Sequence, residues 1–168
     1  MSEERRIVSD TGPLISLERL SEGYAFIGKL YDRIIVPRAV LEEVARGPFE
    51  GEDAYLQHYD IEDLIEVRAV TSSTHLPASE RLHEGETQAI LLAIELGLPL
   101  LIEETIGRQV ARQAGVPISG VAGQIIRAYR QSIISAQEAR SKLREMRQQG
   151  RINQHIYERL INAMESKA

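Results

Sequence analysis

The 168-residue sequence contains no cysteine and no tryptophan, and only 2 Phe and 6 Tyr. Without cysteine there is no disulfide framework, no thiol nucleophile and no thiolate zinc site. So few rings argue against an extensive base-stacking platform. No apolar stretch approaches the roughly 20 residues that span a bilayer; the run at 89–94 is stopped by Glu95. The opening Met-Ser-Glu-Glu-Arg-Arg leads into a short apolar run ending at Asp10, without the long uncharged stretch of a signal peptide. A soluble cytoplasmic protein is the expectation. An excess of positive charge is also missing: a formal charge of −5 and a pI of about 5.5 disfavour a generic nucleic-acid coat protein.

What remains is a chain that is 43% apolar and 27% charged, sufficient for one core and one compact domain. Its charge is segregated. Residues 1–104 hold 9 Lys or Arg against 21 Asp or Glu, whereas residues 105–151 hold 9 against 2. The acidic and basic segments can form two solvated faces or meet around one site.

Extended and helical patterns alternate. A short extended run at 6–9 is followed by Asp10-Thr11-Gly12-Pro13, a capping side chain ahead of a first-turn proline, with Leu14, Leu17 and Leu20 at helical spacing. Ile34-Ile35-Val36 then gives way at Pro37 to Val40, Leu41 and Val44. Residues 47–60 read as a loop and short helix, 65–67 as a strand, and 71–77 as a connection. A buried helix at 85–96 ends at Gly97, Leu100-Leu101-Ile102 forms a compact strand, and a helix runs to Ala114. A last short strand at 117–119 precedes a helix at 121–129. This alternation predicts a mostly parallel sheet covered on both faces, because parallel strands need crossover connections. Two further helices, 136–149 and 154–164, form a hairpin around Gly150. The predicted organisation is an α/β domain at 1–134 with a docked helical extension at 135–168.

In an open parallel sheet, function collects beyond the C-terminal strand ends. Asp10 follows the first strand, and Glu103 and Glu104 follow the strand at 100–102, although an acid at such a junction can equally cap the next helix. At about 100° per residue, Glu86 shares the stripe of Ala89, Ile90 and Ala93, and Glu84 projects oppositely. Glu43 borders the inner face of its helix while Glu42 points away. A buried carboxylate needs a partner, which for Glu86 can be a distant Arg or a bound cation. Several carboxylates gathered from separated segments suit Mg²⁺ or Mn²⁺, and such ions support metal-assisted phosphodiester hydrolysis.

At these residues the chain resembles PIN-domain proteins of the VapC-like kind, the toxins of bacterial and archaeal toxin–antitoxin pairs. The resemblance rests on Ile7-Val8-Ser9-Asp10-Thr11-Gly12-Pro13-Leu14-Ile15, on Ile35-Val36-Pro37 leading to Glu42-Glu43-Val44, on Gly85-Glu86-Thr87-Gln88-Ala89-Ile90, and on Leu100-Leu101-Ile102-Glu103-Glu104 with Arg108 downstream. Ile118-Ser119-Gly120 and the C-terminal helices extend it to about residue 165. It implies a three-layer α/β/α fold and a Mg²⁺- or Mn²⁺-dependent ribonuclease with Asp10, Glu43, Glu86 and Glu104 as catalytic acids. Asp10, Glu86, Glu103 and Glu104 are the metal ligands it implies. It further implies an RNA substrate, a small cognate antitoxin and a homodimer. The chain departs from its relatives at the fourth acid, where they usually have Asp; Glu displaces the carboxylate by roughly an ångström, enough to lower turnover.

Other features are less specific. Arg108 and Arg112, one turn apart, can hold an RNA phosphate or pair with nearby acids. The four histidines lack zinc-site spacing, and no phosphate-binding glycine loop is present. Ile156, Leu160 and Ile161 form a stripe that can close the core, face a second subunit or receive an antitoxin. A catalytically weak module acting through a protein partner is the alternative function, and a small-molecule phosphohydrolase a third.

Overall fold

A computed structural model describes residues 2–71 and 75–166. Strands β1 (Arg6–Ser9), β2 (Arg33–Val36), β3 (Ile65–Val67), β4 (Leu100–Leu101) and β5 (Ile118–Ser119) make a five-stranded sheet in the order β3-β2-β1-β4-β5. All four neighbouring pairs are parallel. The chain builds outward from β1 to β3, then returns to place β4 on the other side of β1. The reversal between β1 and β4 is the switch point at which doubly wound sheets leave a crevice.

The connections are α1 (Thr11–Arg19), α2 (Gly23–Leu30), α3 (Arg38–Val44), α4 (Glu52–Tyr59), α5 (Glu84–Leu96), α6 (Thr105–Gln113) and α7 (Val121–Arg130), followed by α8 (Ala136–Gln148) and α9 (Gln154–Glu165). A 3-10 turn at Ser79–Arg81 precedes α5. The predicted connection at 71–77 contains residues 72–74, which lie outside the described residues. Sequence spacing left α2 unassigned; Leu20 and the left-handed Glu22 (φ 55°) break the chain before it.

Alternation along the strands explains the three layers. Ile7, Ile34 and Leu101 join a core with Leu17, Ile27 and Ile125, whereas Val8, Ile35 and Leu100 join the opposite core with Ile90, Leu92 and Ala111. Successive strand residues point to opposite faces, so near-continuous apolar strands require cover on both. The fold is the expected α/β/α arrangement around a parallel sheet. Ala139, Leu143 and Met146 of α8 and Met164 of α9 enter the first core, so the helical hairpin is packed into it. Among the described residues no helix is long and apolar enough to cross a membrane.

The α1–α2 corner leaves no room for a side chain at Gly23, where a Cβ would lie 1.9 Å from the Leu17 carbonyl oxygen. Gly23→Ala should therefore cost about 3 kcal/mol or more, read as a lower urea midpoint at constant slope. A midpoint equal to wild type would refute this close approach.

Candidate active site

The site forms where β1 and β4 end. Val8 N–H donates to the Pro99 carbonyl at 2.9 Å and Asp10 N–H to the Leu101 carbonyl at 3.0 Å. This pairing carries Asp10 and the Glu103–Glu104 pair to the same edge. Asp10 occupies the residue before α1, yet its side chain makes no capping hydrogen bond to that helix. It is only 5% exposed and faces a cavity of about 600 Å³.

Glu43, Glu86, Glu103 and Glu104 line the same cavity. Glu86 is buried on the face of α5 shared with Ala89, Ile90 and Ala93, while Glu84 is exposed and accepts from Gln88 at 3.0 Å. The helical phasing thus separates the two glutamates as expected. One Glu86 oxygen accepts from the His83 backbone N–H at 3.0 Å; the other, Oε2, is buried without a hydrogen-bond partner among the described residues. Glu104 caps α6 by accepting from the Gly107 N–H at 2.8 Å, and Glu43 stands exposed at the rim.

Electrostatics distinguish these acids. Burial raises Asp10 to about 7, and the charges of Glu86, Glu43 and Glu104 add to the effect against the opposing Thr11 N–H. Burial also pushes Glu86 up, with Glu104 contributing, whereas the Gly107 N–H holds Glu104 below the ordinary range. The cavity therefore concentrates carboxylates that resist ionising together. Thr11 Oγ1 is a second buried oxygen without a hydrogen-bond partner among the described residues. Two orphaned oxygens in an all-oxygen donor set fit a hard divalent cation. Among the described residues, three or more acidic or histidine side chains do not converge closely enough to hold an ion as they stand.

A family model described as a PIN domain, DUF3368, matches residues 6–166. The chain belongs to the PIN-domain family. PIN domains are generally nucleases. A PilT N-terminus domain protein from the hyperthermophilic archaeon Sulfolobus solfataricus is similar in structure over 69% of this chain and 87% of its own, at 17% identity and a TM-score of 0.50. A domain of a functionally unknown protein from Methanocaldococcus jannaschii covers 69% of this chain and 90% of its own, at 20% identity and a TM-score of 0.44. At 17% identity, the first likeness speaks to fold alone. No curated protein matches the sequence.

Around the carboxylates, this PIN domain adds a network that the sequence reading did not single out. Arg151, between α8 and α9, donates from Nη2 to the Gly12 carbonyl at 3.0 Å and to Glu103 Oε1 at 3.3 Å, and from Nε to Ser16 Oγ at 2.8 Å. Ser16 Oγ donates to the same Glu103 oxygen at 2.8 Å, and the Val121 N–H donates to the other at 3.1 Å. Glu103 faces the cavity, but both its oxygens are engaged in tying α1, α7 and the hairpin together. The available sequence signal was position: Arg151 ends the basic segment beside Gly150, the turn residue at φ 73°. His83, Thr11 and Gly12 are further cavity residues unmarked by spacing.

Neither of the two arginines expected near phosphate lines the carboxylate cavity. Arg108 donates to the Ile102 carbonyl at 2.8 Å and lines a neighbouring cavity, which shares Glu103 and Arg151 with the first. Burial, and secondarily Arg112, hold its pKa below the usual guanidinium range. Arg112 is exposed and lines neither cavity.

Two outcomes follow from these interactions. Between about pH 4 and 7 the folded metal-free protein keeps the Asp10 proton that the unfolded chain has released, so this contribution to stability falls as pH rises through that window. Asp10→Asn should raise the melting temperature at pH 8, by an amount corresponding to as much as about 4 kcal/mol, and leave it nearly unchanged at pH 4. Equal shifts at both pH values would contradict the burial of a carboxylate. Arg151→Ala should cost about 2 kcal/mol in urea unfolding by stranding Glu103, and adding Glu103→Gln should recover part of that loss. Strict additivity of the two changes would show that the pair is not coupled.

Proposed function

We propose that this PIN domain is a metal-dependent endoribonuclease that hydrolyses RNA phosphodiester bonds in the cavity at the β1–β4 switch point. The carrying observation is the burial of Asp10 and Glu86 in one cavity, with no salt-bridge partner for either and no hydrogen bond to Glu86 Oε2 among the described residues. Asp10 and Glu86 are the residues that would hold Mg²⁺ or Mn²⁺, with Glu104 completing the set. When bound, such an ion activates water and stabilises the leaving oxygen.

The remaining roles belong to the chain. Glu104, kept ionised by the Gly107 N–H, and Glu43, exposed at the rim, can orient a water molecule and accept its proton. Glu103 and Arg151 position the N-terminal turn of α1 behind Asp10 through Gly12 and Ser16. The resemblance extends the proposal to the toxin of a toxin–antitoxin pair, with a small antitoxin and a second copy of the chain as partners. The exposed Ile156, beside the half-buried Leu160 and Ile161 that pack against the core, supports α9 as the surface that such a partner would use.

A second reading, a PIN domain that binds RNA but cleaves weakly, is favoured by one feature: both acids after β4 are glutamates, and Glu103 is already bonded. Incubating the protein with structured and single-stranded RNA, in Mn²⁺ or in chelator, separates the two. Nuclease action predicts Mn²⁺-dependent products and a loss of roughly 100-fold or more in Asp10→Asn. RNA binding without products favours the weak module, and undiminished cleavage by Asp10→Asn would remove the proposed site. By calorimetry, Glu86→Gln should weaken Mn²⁺ binding about tenfold or more and Glu84→Gln should leave it unchanged.

A further inference from the structure

Beside the catalytic cavity lies a second one of about 670 Å³, and Ile15 and Glu43 line both. Phe49, His58 and Tyr59 also line it, as do Arg46 and Arg19. The chain holds 2 Phe and 6 Tyr, and Phe49, Tyr24, Tyr55 and Tyr59 all gather here. The general scarcity of rings is thus accompanied by a local concentration next to the candidate active site.

This aromatic wall is held rigidly from behind. Tyr55 is buried and meets Phe49 edge-on, with centroids 5.2 Å apart. His58 packs against both Phe49 at 5.3 Å and Tyr59 at 4.7 Å. The Tyr24 and Tyr55 hydroxyls share a 2.6 Å hydrogen bond, and Tyr59 and Tyr55 donate to Glu18 at 2.9 and 3.4 Å. Gly47 and Gly51, at φ 107° and 104°, bracket Phe49 and give its loop a path that residues with a Cβ rarely take. Phe49 and Tyr59 remain half-buried and His58 exposed, so part of each ring is open to the cavity.

The charges at the wall are unevenly engaged. Glu18 is bonded to two phenols, whereas the exposed guanidinium groups of Arg19 and Arg46 have no hydrogen-bond or ion-pair partner among the described residues. Rigid rings with an unpaired guanidinium beside them match the two faces of a nucleotide, a stacking base and an anionic phosphate.

We propose that the second cavity is a nucleobase subsite: an unpaired base flanking the scissile phosphate stacks on the Phe49 ring, with His58 and Tyr59, inclined to it by 61° and 54°, bordering the base, while the adjoining phosphate meets Arg46. This rests on the endoribonuclease reading and adds to it a source of sequence or structure preference. A base held there fixes which linkage lies over the carboxylates, because the two cavities adjoin at Ile15 and Glu43, which line both. A base already in a duplex has both faces stacked and is not available to the wall, so the substrate is single-stranded at this position.

The test uses a single-stranded RNA oligomer that the wild-type protein cleaves at one linkage, together with versions carrying one abasic nucleotide at each position. Binding is followed by fluorescence anisotropy with Ca²⁺ in place of Mn²⁺, and cleavage kinetics in Mn²⁺. One abasic position should weaken wild-type binding about tenfold, and Phe49→Leu should weaken the intact oligomer by a similar factor without further weakening that abasic version. Arg46 is exposed, so Arg46→Gln is compatible with folding; it should reduce the slope of log affinity against log salt by about 0.7 for single-stranded RNA. Cleavage that is indifferent to abasic substitution, or equal losses with Phe49→Leu on intact and abasic oligomers, would overturn the subsite while leaving the nuclease intact. Absence of any RNA cleavage or binding by the wild type would instead overturn the reading on which it rests.

Discussion

Pairing of β1 with β4 through Val8 and Asp10 controls the chemistry, because it brings an acid from residue 10 beside acids from residues 103 and 104. Each strand is apolar enough to be buried on both sides, and the carboxylates begin where the buried strand stops. The sheet therefore delivers its charges to the crevice, where water can reach only part of them. Desolvation, and to a lesser degree the repulsion of the neighbouring carboxylates, raises the Asp10 pKa to about 7. Folding creates a site of negative charge that a cation would relieve, at a cost in stability for the metal-free chain.

The helical hairpin takes part in this arrangement. Its apolar residues complete the core under α1 and α7, and its Arg151 reaches the carbonyl of Gly12 two residues from Asp10. One guanidinium thereby neutralises Glu103 and secures the turn that carries Asp10. The basic segment, for which the sequence left open either a separate face or a meeting with the acids, does meet them, but through Arg151 at its end. Arg108 instead supports the β4 carboxyl end from the neighbouring cavity.

Much of this was legible beforehand for definite physical reasons. Strand alternation, β-branched runs and crossover lengths specify a parallel sheet under two helical layers, and a rotation of about 100° per residue places Glu86 inward and Glu84 outward. The break before α2 was not legible, because Leu14, Leu17 and Leu20 carry a continuous helical pattern to the left-handed Glu22. Nor was the division of labour between Glu103 and Glu104: adjacent in sequence and identical in chemistry, they face different hydrogen-bond donors.

Local chemistry alone thus determined the strands, the helix faces, the acids at strand ends and the resemblance to PIN domains. Only the tertiary structure decided which oxygens are satisfied and which are left bare. It bound Glu103 to Arg151, left Glu86 Oε2 without a hydrogen-bond partner among the described residues, and gathered Phe49, His58 and Tyr59 beside the carboxylates. The reason is that periodicity is a property of neighbouring residues, whereas hydrogen-bond satisfaction and desolvation depend on groups up to 139 positions apart, as between Gly12 and Arg151.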